Sequence, residues 1–145
     1  MPIEWAETMV ELATAYYNRI KGDKAENLER AIDIYHKSLE VLNRQDMRVQ
    51  WAETMYNLAM AYQDRIWKKK IENLELAIGA YEQSLKVFTQ QDRPILWAQT
   101  LSRLATIYYS RTKGKRADNL ERAIDAYQQS LKVFTQQDMP IQWAQ

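Results

Sequence analysis

The chain has 145 residues, 46% of them hydrophobic, and its 20 basic and 19 acidic residues leave a net charge of +1. That balance permits a folded core and argues against a dedicated nucleic-acid or membrane-surface protein, which carries a strong basic excess. Cysteine is absent, which excludes disulfides and thiolate chemistry and fits a reducing, cytoplasmic location. No apolar run approaches the roughly 20 residues of a membrane span, and the opening MPIEWAE lacks the basic-then-apolar pattern of a signal peptide.

The chain repeats itself. Trp5, Trp51, Trp97 and Trp143 recur 46 residues apart. Ala6, Thr8, Leu12, Ala13, Tyr16 and Arg19 return as Ala52, Thr54, Leu58, Ala59, Tyr62 and Arg65, and again as Ala98, Thr100, Leu104, Ala105, Tyr108 and Arg111. Asn27-Leu28-Glu29 returns as Asn73-Leu74-Glu75 and Asn119-Leu120-Glu121. A fixed period without insertions predicts stacked repeats, here 1–46, 47–92 and 93–138, with 139–145 opening a fourth. Three glycines and three prolines favour long helices over strands and turns.

In chain order, residues 1–4 form a connector. The first helix of each repeat is predicted at about 4–20, 49–67 and 95–112, from the stripe Trp5, Met9, Leu12, Tyr16, Ile20 at steps of three and four. Asp46, Asp92 and Asp138 precede these helices and are expected to accept from free backbone N–H groups. Pro94 and Pro140 fall in the first turn, where a missing N–H costs little. Ala6 and Ala13 recur in every copy and allow close helix approach, while Tyr16, Tyr62 and Tyr108 are expected to bury their rings and to need hydroxyl partners. A polar turn follows, in which Gly22 and Gly114 suit a positive φ. The second helix is predicted at about 24–43, 71–89 and 116–135, with a buried stripe Leu28, Ala31, Ile32, Tyr35, Ser38, Leu39, Leu42 and a solvated face Arg30, Asp33, Lys37, Glu40, Arg44. Repeat two has Leu76 and Gly79 on that face, which reads as a neutral change. The last residues, Pro140 to Gln145, begin a helix too short to hold itself. Neither end has a polar cap of the kind that closes solenoids, so the chain is expected to be a stretch of a longer array.

Leu12-Ala13…Tyr16, followed by Ala31, Tyr35 and Ser38, resembles the tetratricopeptide repeat, a helix–turn–helix unit of about 34 residues. The longer unit is similar to a 46-residue variant of bacterial and cyanobacterial proteins, in which such arrays accompany CHAT-type peptidase domains. The resemblance covers all three copies. It implies an all-α, right-handed superhelical solenoid of antiparallel helix pairs. It also implies that the first helices line a concave groove.

The columns expected to line that groove are Glu7, Val10, Thr14, Tyr17 and Asn18 in copy one. Copy two has Glu53, Tyr56, Met60, Gln63 and Asp64, and copy three has Gln99, Ser102, Thr106, Tyr109 and Ser110. These columns change between copies while their buried neighbours barely do. Drift of a merely soluble surface is the competing explanation. Against it, Val10, Tyr17, Tyr56, Met60 and Tyr109 are apolar for a solvated face, and Tyr and Met are enriched at binding surfaces. A peptide or helix in the groove is therefore the favoured reading. The carboxylate clamp of the family's chaperone-binding members is incomplete, since only Asn57 and Arg103 occupy clamp positions.

Arg19, Arg65 and Arg111 recur with Glu29, Glu75 and Glu121 and read as joints tying the first helix of each repeat to the start of the second. Lys21, Lys24, Trp67, Lys68, Lys69, Lys70, Lys113, Lys115 and Arg116 gather at the turns. They read as helix-end charge. Weak binding of nucleic acid or an acidic protein along such a basic edge is the alternative. Catalysis finds no support. His36 is the only histidine and reads as a surface polar residue, and no nucleophile–base pair, metal-ligand spacing or phosphate loop is present. No enzyme activity, cofactor, metal or membrane partner is expected. The reading is a protein-interaction scaffold. The alternatives are a spacer or regulatory arm of a larger signalling or peptidase protein, and self-association through uncapped faces, including the surface around Leu131 and Phe134.

Overall fold

The computed structural model describes residues 2–43, 45–65 and 69–134. All regular structure among them is helical, as expected: α1 (Pro2–Asn18), α2 (Lys24–Leu42), a 3-10 turn (Gln45–Met47), α3 (Arg48–Asp64), α4 (Lys70–Leu85), α5 (Pro94–Ser110) and α6 (Arg116–Leu131). The first helices stop earlier than their apolar pattern predicts. The N–H groups of Arg19, Arg65 and Arg111 turn back to the carbonyls of Tyr16, Tyr62 and Tyr108 at 3.2, 3.1 and 3.3 Å, and this tightened i→i−3 closure ends the helix. Predicted helix ends at residues 66–67 and 135 lie outside the described residues.

The turns inside the repeats take the conformation expected of them. Gly22 and Gly114 have φ of +92° and +85°, where a side chain would be strained. Asp23 caps α2, its Oδ1 accepting from the N–H groups of Ala25 at 2.8 Å and Glu26 at 3.4 Å. Between repeats the expectation fails. The residues preceding α3 and α5 are Met47 and Arg93, neither with a side-chain cap. Asp46 lies within the 3-10 turn, and the Asp92 N–H donates to Thr89 Oγ1 at 3.1 Å. Each aspartate stands one residue before the cap position. Pro94 does open α5; Asp138 and Pro140 lie outside the described residues.

The chain comprises two compact units, Met1–Val87 and Phe88–Gln145. In the first, α1 pairs with α2, α2 with α3, and α3 with α4. The α3–α4 pair is antiparallel. Ala52, near the start of α3, offers its carbonyl to Ser84 Oγ at 2.9 Å near the end of α4, while Arg65, just past the end of α3, meets Asn73 near the start of α4. Ala6, Ala13, Ala52 and Ala59 are fully buried, because only a methyl group fits where the axes come this close. Buried Thr54 satisfies its hydroxyl on the Gln50 carbonyl at 2.8 Å. Ala6, Leu42 and Met47 form a cluster with Ile3, Val10, Val41 and Trp51 around it, so the 3-10 turn wedges the two repeats together.

The stripe predicted for α1 is corrected. Trp5 and Ile20 are exposed and Leu12 is 45% exposed, whereas Leu58, its counterpart on α3, is 3% exposed. Leu58 belongs to a helix packed against α2; α1 meets α2 with its alanine face and leaves the leucine face uncovered. The second-helix stripe is buried as predicted, with Leu39 half-buried, and Arg30, Asp33, Lys37 and Glu40 face water. Gly79 has nothing within 4 Å of a built Cβ, in agreement with a neutral change.

In the second unit α5 packs on α6, and Ser130 Oγ donates to the Ala98 carbonyl at 2.8 Å, repeating the Ser84–Ala52 link.

Candidate interaction surface

Three columns of the first helix also bind inside the repeat. The hydroxyls of Thr14 and Tyr35 lie 2.8 Å apart, and those of Thr106 and Tyr127 lie 2.9 Å apart. In copy two Met60 stands where these threonines stand and cannot serve. There Tyr81 donates its hydroxyl to Gln63 Oε1, one turn further on, at 2.9 Å. The Tyr35 hydroxyl is pushed above its ordinary pKa by burial, and the bond to Thr14 opposes that only in part. Tyr17 donates to Asp64, joining α1 to α3, and the Tyr56 ring meets Tyr81 edge-on at 5.6 Å. So some variation between copies that reads as a changing binding face is exchange of hydrogen-bond partners.

What remains accessible in the first unit is the start of the face. Glu7, Val10 and Glu11 of α1 and Gln50, Glu53 and Asn57 of α3 line a hollow of about 220 Å³. Three carboxylates border it, and neither lysine nor arginine is among its lining residues. Glu7, Val10 and Glu53 were expected here. Glu11, Gln50 and Asn57 are additions, signalled in the sequence by Glu7–Glu11 and Gln50–Glu53–Asn57 at helical spacing. Asn18 is exposed nearby in sequence, and Met60 is half-buried.

In the second unit Gln99 and Ser102 are half-buried. Ser102 accepts from Thr106 Oγ1 at 3.1 Å, and Ser110 Oγ bonds back to the Thr106 and Ile107 carbonyls at 3.3 and 3.2 Å. The exposed Tyr109 ring lies 5.2 Å from the Arg116 guanidinium, which also donates to the Tyr109 carbonyl.

The arginine joints differ from expectation. Arg65 does tie α3 to α4, its Nε and Nη2 donating to Asn73 Oδ1 at 3.1 and 2.9 Å. Its carboxylate partner is Glu29 of the preceding repeat, at 2.9 and 3.0 Å, rather than Glu75. His36, expected to serve only as an exposed polar residue, has its Nε2 2.7 Å from the Tyr62 hydroxyl. Both links join α2 to α3, so one of the sequence's supposed local joints is the fastening between repeats. Burial raises the Tyr62 pKa; Arg65 opposes and Glu29 reinforces that shift.

The basic residues at the turns are dispersed among acids. Lys69 lies 3.8 Å from Glu72, Lys21, Lys24, Lys70, Lys113 and Lys115 are exposed, and Trp67 and Lys68 lie outside the described residues. Among the described residues no group of three His, Asp or Glu is placed to hold a metal, and no helix is long and apolar enough to cross a membrane.

Residues 5–41 match a family model described as tetratricopeptide repeat. The match and the all-helical fold support a tetratricopeptide-like repeat protein. No curated protein and no solved structure matches the chain. The matched segment takes in most of α1, the glycine turn and nearly all of α2. Tetratricopeptide repeats are a non-enzymatic scaffold for protein–protein contact, which suits a chain whose distinctive residues are spent on helix packing.

Proposed function

We propose that the protein is a non-catalytic scaffold that receives a peptide or partner domain along the first helices of its repeats, with the α1–α3 hollow as the principal contact in the first unit. The observation that supports this most is the open hollow bordered by Glu7, Glu11 and Glu53, on a face whose residues change from copy to copy. Three carboxylates in a lining that holds no lysine or arginine favour a cationic side chain over an anionic one, so the peptide is basic.

The test is to pan a random peptide library on the immobilised protein, with a Glu7→Lys/Glu53→Lys variant of unchanged helicity as counter-target. Basic peptides that bind the natural protein, lose binding on the variant and weaken with salt support the reading. Peptides that bind both forms equally, or no enrichment at all, reject it.

A further inference from the structure

The uncovered side of α1 is the same surface that α3 uses to grip α2. On α3, Leu58, Ala61 and Tyr62 are buried, Tyr62 meets His36, and Arg65 meets Glu29. On α1 the equivalents Leu12, Ala15, Tyr16 and Arg19 line an open, mainly apolar hollow of about 220 Å³. Arg19 has no carboxylate within ion-pair reach among the described residues.

The complementary surface is also uncovered, on α6. Along α2 the residues on the stripe toward α3 are Glu29, Ile32, His36 and Leu39, and Ile32 is 6% exposed. The α6 equivalents are Glu121, Ile124, Gln128 and Leu131; Ile124 is 48% and Leu131 46% exposed. Both halves of the α2–α3 junction thus occur a second time, each exposed among the described residues, and they match in charge: an exposed Arg19 for an exposed Glu121.

We propose that the outer face of α1 docks on the outer face of α6 in a second copy of this chain, as α3 docks on α2. Leu12 packs against Ile124 and Leu131 of the other copy, Tyr16 reaches Gln128, and Arg19 pairs with Glu121. The contact is head-to-tail. The first contact between two copies therefore leaves one free head and one free tail. Equivalent residues, with Gln128 in place of His36, already form the α2–α3 junction within the first unit, and that is why a second copy is the occupant.

The test is sedimentation velocity from low micromolar to submillimolar concentration, on the natural chain and on Leu12→Asp and Ile124→Asp, both at exposed positions and checked for unchanged helicity. The natural chain is expected to sediment faster as concentration rises, and each variant alone to stay monomeric. An equimolar mixture of the two variants is expected to stop at a dimer, because it holds one intact head and one intact tail. Arg19→Glu and Glu121→Arg are each expected to weaken association by about tenfold through like-charge contact, and their mixture to restore it. A natural chain that stays monomeric overturns the proposal. So does a variant that self-associates like the natural chain, or a mixture of Leu12→Asp with Ile124→Asp that stays monomeric.

Discussion

Arg65 reaches back across the repeat boundary to Glu29, donating to both carboxylate oxygens at 2.9 and 3.0 Å, while two of its nitrogens hold Asn73 of its own repeat. One guanidinium therefore fixes the turn between α3 and α4 and the stacking of α3 on α2. Arg65→Ala is expected to destabilise the protein by about 2 kcal/mol, because it removes hydrogen bonds to a charged donor whose side chain is 15% exposed. Glu29→Gln is expected to cost less, about 1 kcal/mol, since that carboxylate is 42% exposed and screened by water. Lysine at 65 should not rescue, because a single ammonium cannot serve Glu29 and Asn73 together. Urea denaturation of the three variants decides this. Equal stability of Arg65→Ala and the natural chain would show that the link is idle.

The hydroxyl pair of Thr14 and Tyr35 gives a second prediction. Thr14→Val leaves the buried Tyr35 hydroxyl without its partner and is expected to cost roughly 1–2 kcal/mol. Tyr35→Phe alone should cost about 1 kcal/mol. The double variant should cost less than the two together, because neither orphan then remains, giving a coupling of about 0.5–1 kcal/mol. Strict additivity in a double-mutant cycle would count against a bond across the α1–α2 pair.

The parts of this architecture that repeat were legible in the sequence, and the parts that depend on which copy touches which were not. The Ala6 and Ala13 columns and the glycine turns follow from local chemistry, and both appear where expected. The partner of Arg65 does not, because Glu75 and Glu29 are equivalent as letters and only stacking decides between them. The stripe on α1 was misjudged for a related reason. The first helices carry two apolar faces; on α3 the alanine face meets its own second helix and the Leu58 face meets α2. Periodicity marks both without saying which is covered. The candidate groove was half legible: Glu7, Val10 and Glu53 border the hollow, whereas Thr14, Thr106 and Gln63 proved to be partners of Tyr35, Tyr127 and Tyr81. The Thr–Met–Thr and Tyr–Gln–Tyr columns change in step, and that joint change was the available signal.

Two backbone positions predict stabilising changes. Gly79 sits inside α4 with open space around it, so Gly79→Ala should add roughly 0.5–1 kcal/mol by reducing the freedom of the unfolded chain. Lys69 holds a left-handed conformation at φ 49°, one residue after the position that is Gly22 and Gly114 in the other copies. Lys69→Gly should remove about 1 kcal/mol of strain and forfeit only an exposed contact with Glu72. The two sites are far enough apart in sequence and role that the gains should add. A lower thermal midpoint for either variant would refute its account.

Two of the buried tyrosines predict an alkaline limit. Tyr35 and Tyr62 both have their pKa raised, in each case first by burial, which disfavours the phenolate. The folded chain therefore holds these protons to higher pH than the unfolded chain, whose tyrosines titrate near about pH 10. Their contribution to stability is complete below that value and is lost as pH rises through the folded pKa, since the unfolded state then releases protons the folded state retains. The urea midpoint should accordingly fall once pH passes about 10, more steeply than in a Tyr35→Phe/Tyr62→Phe variant compared with its own value near neutrality. The single substitutions separate the two sites: Tyr62→Phe also releases His36 from its 2.7 Å contact and should loosen the α2–α3 junction at all pH values, whereas Tyr35→Phe should act within the first pair. If the double variant loses stability above that pH as steeply as the natural chain, the limit arises elsewhere.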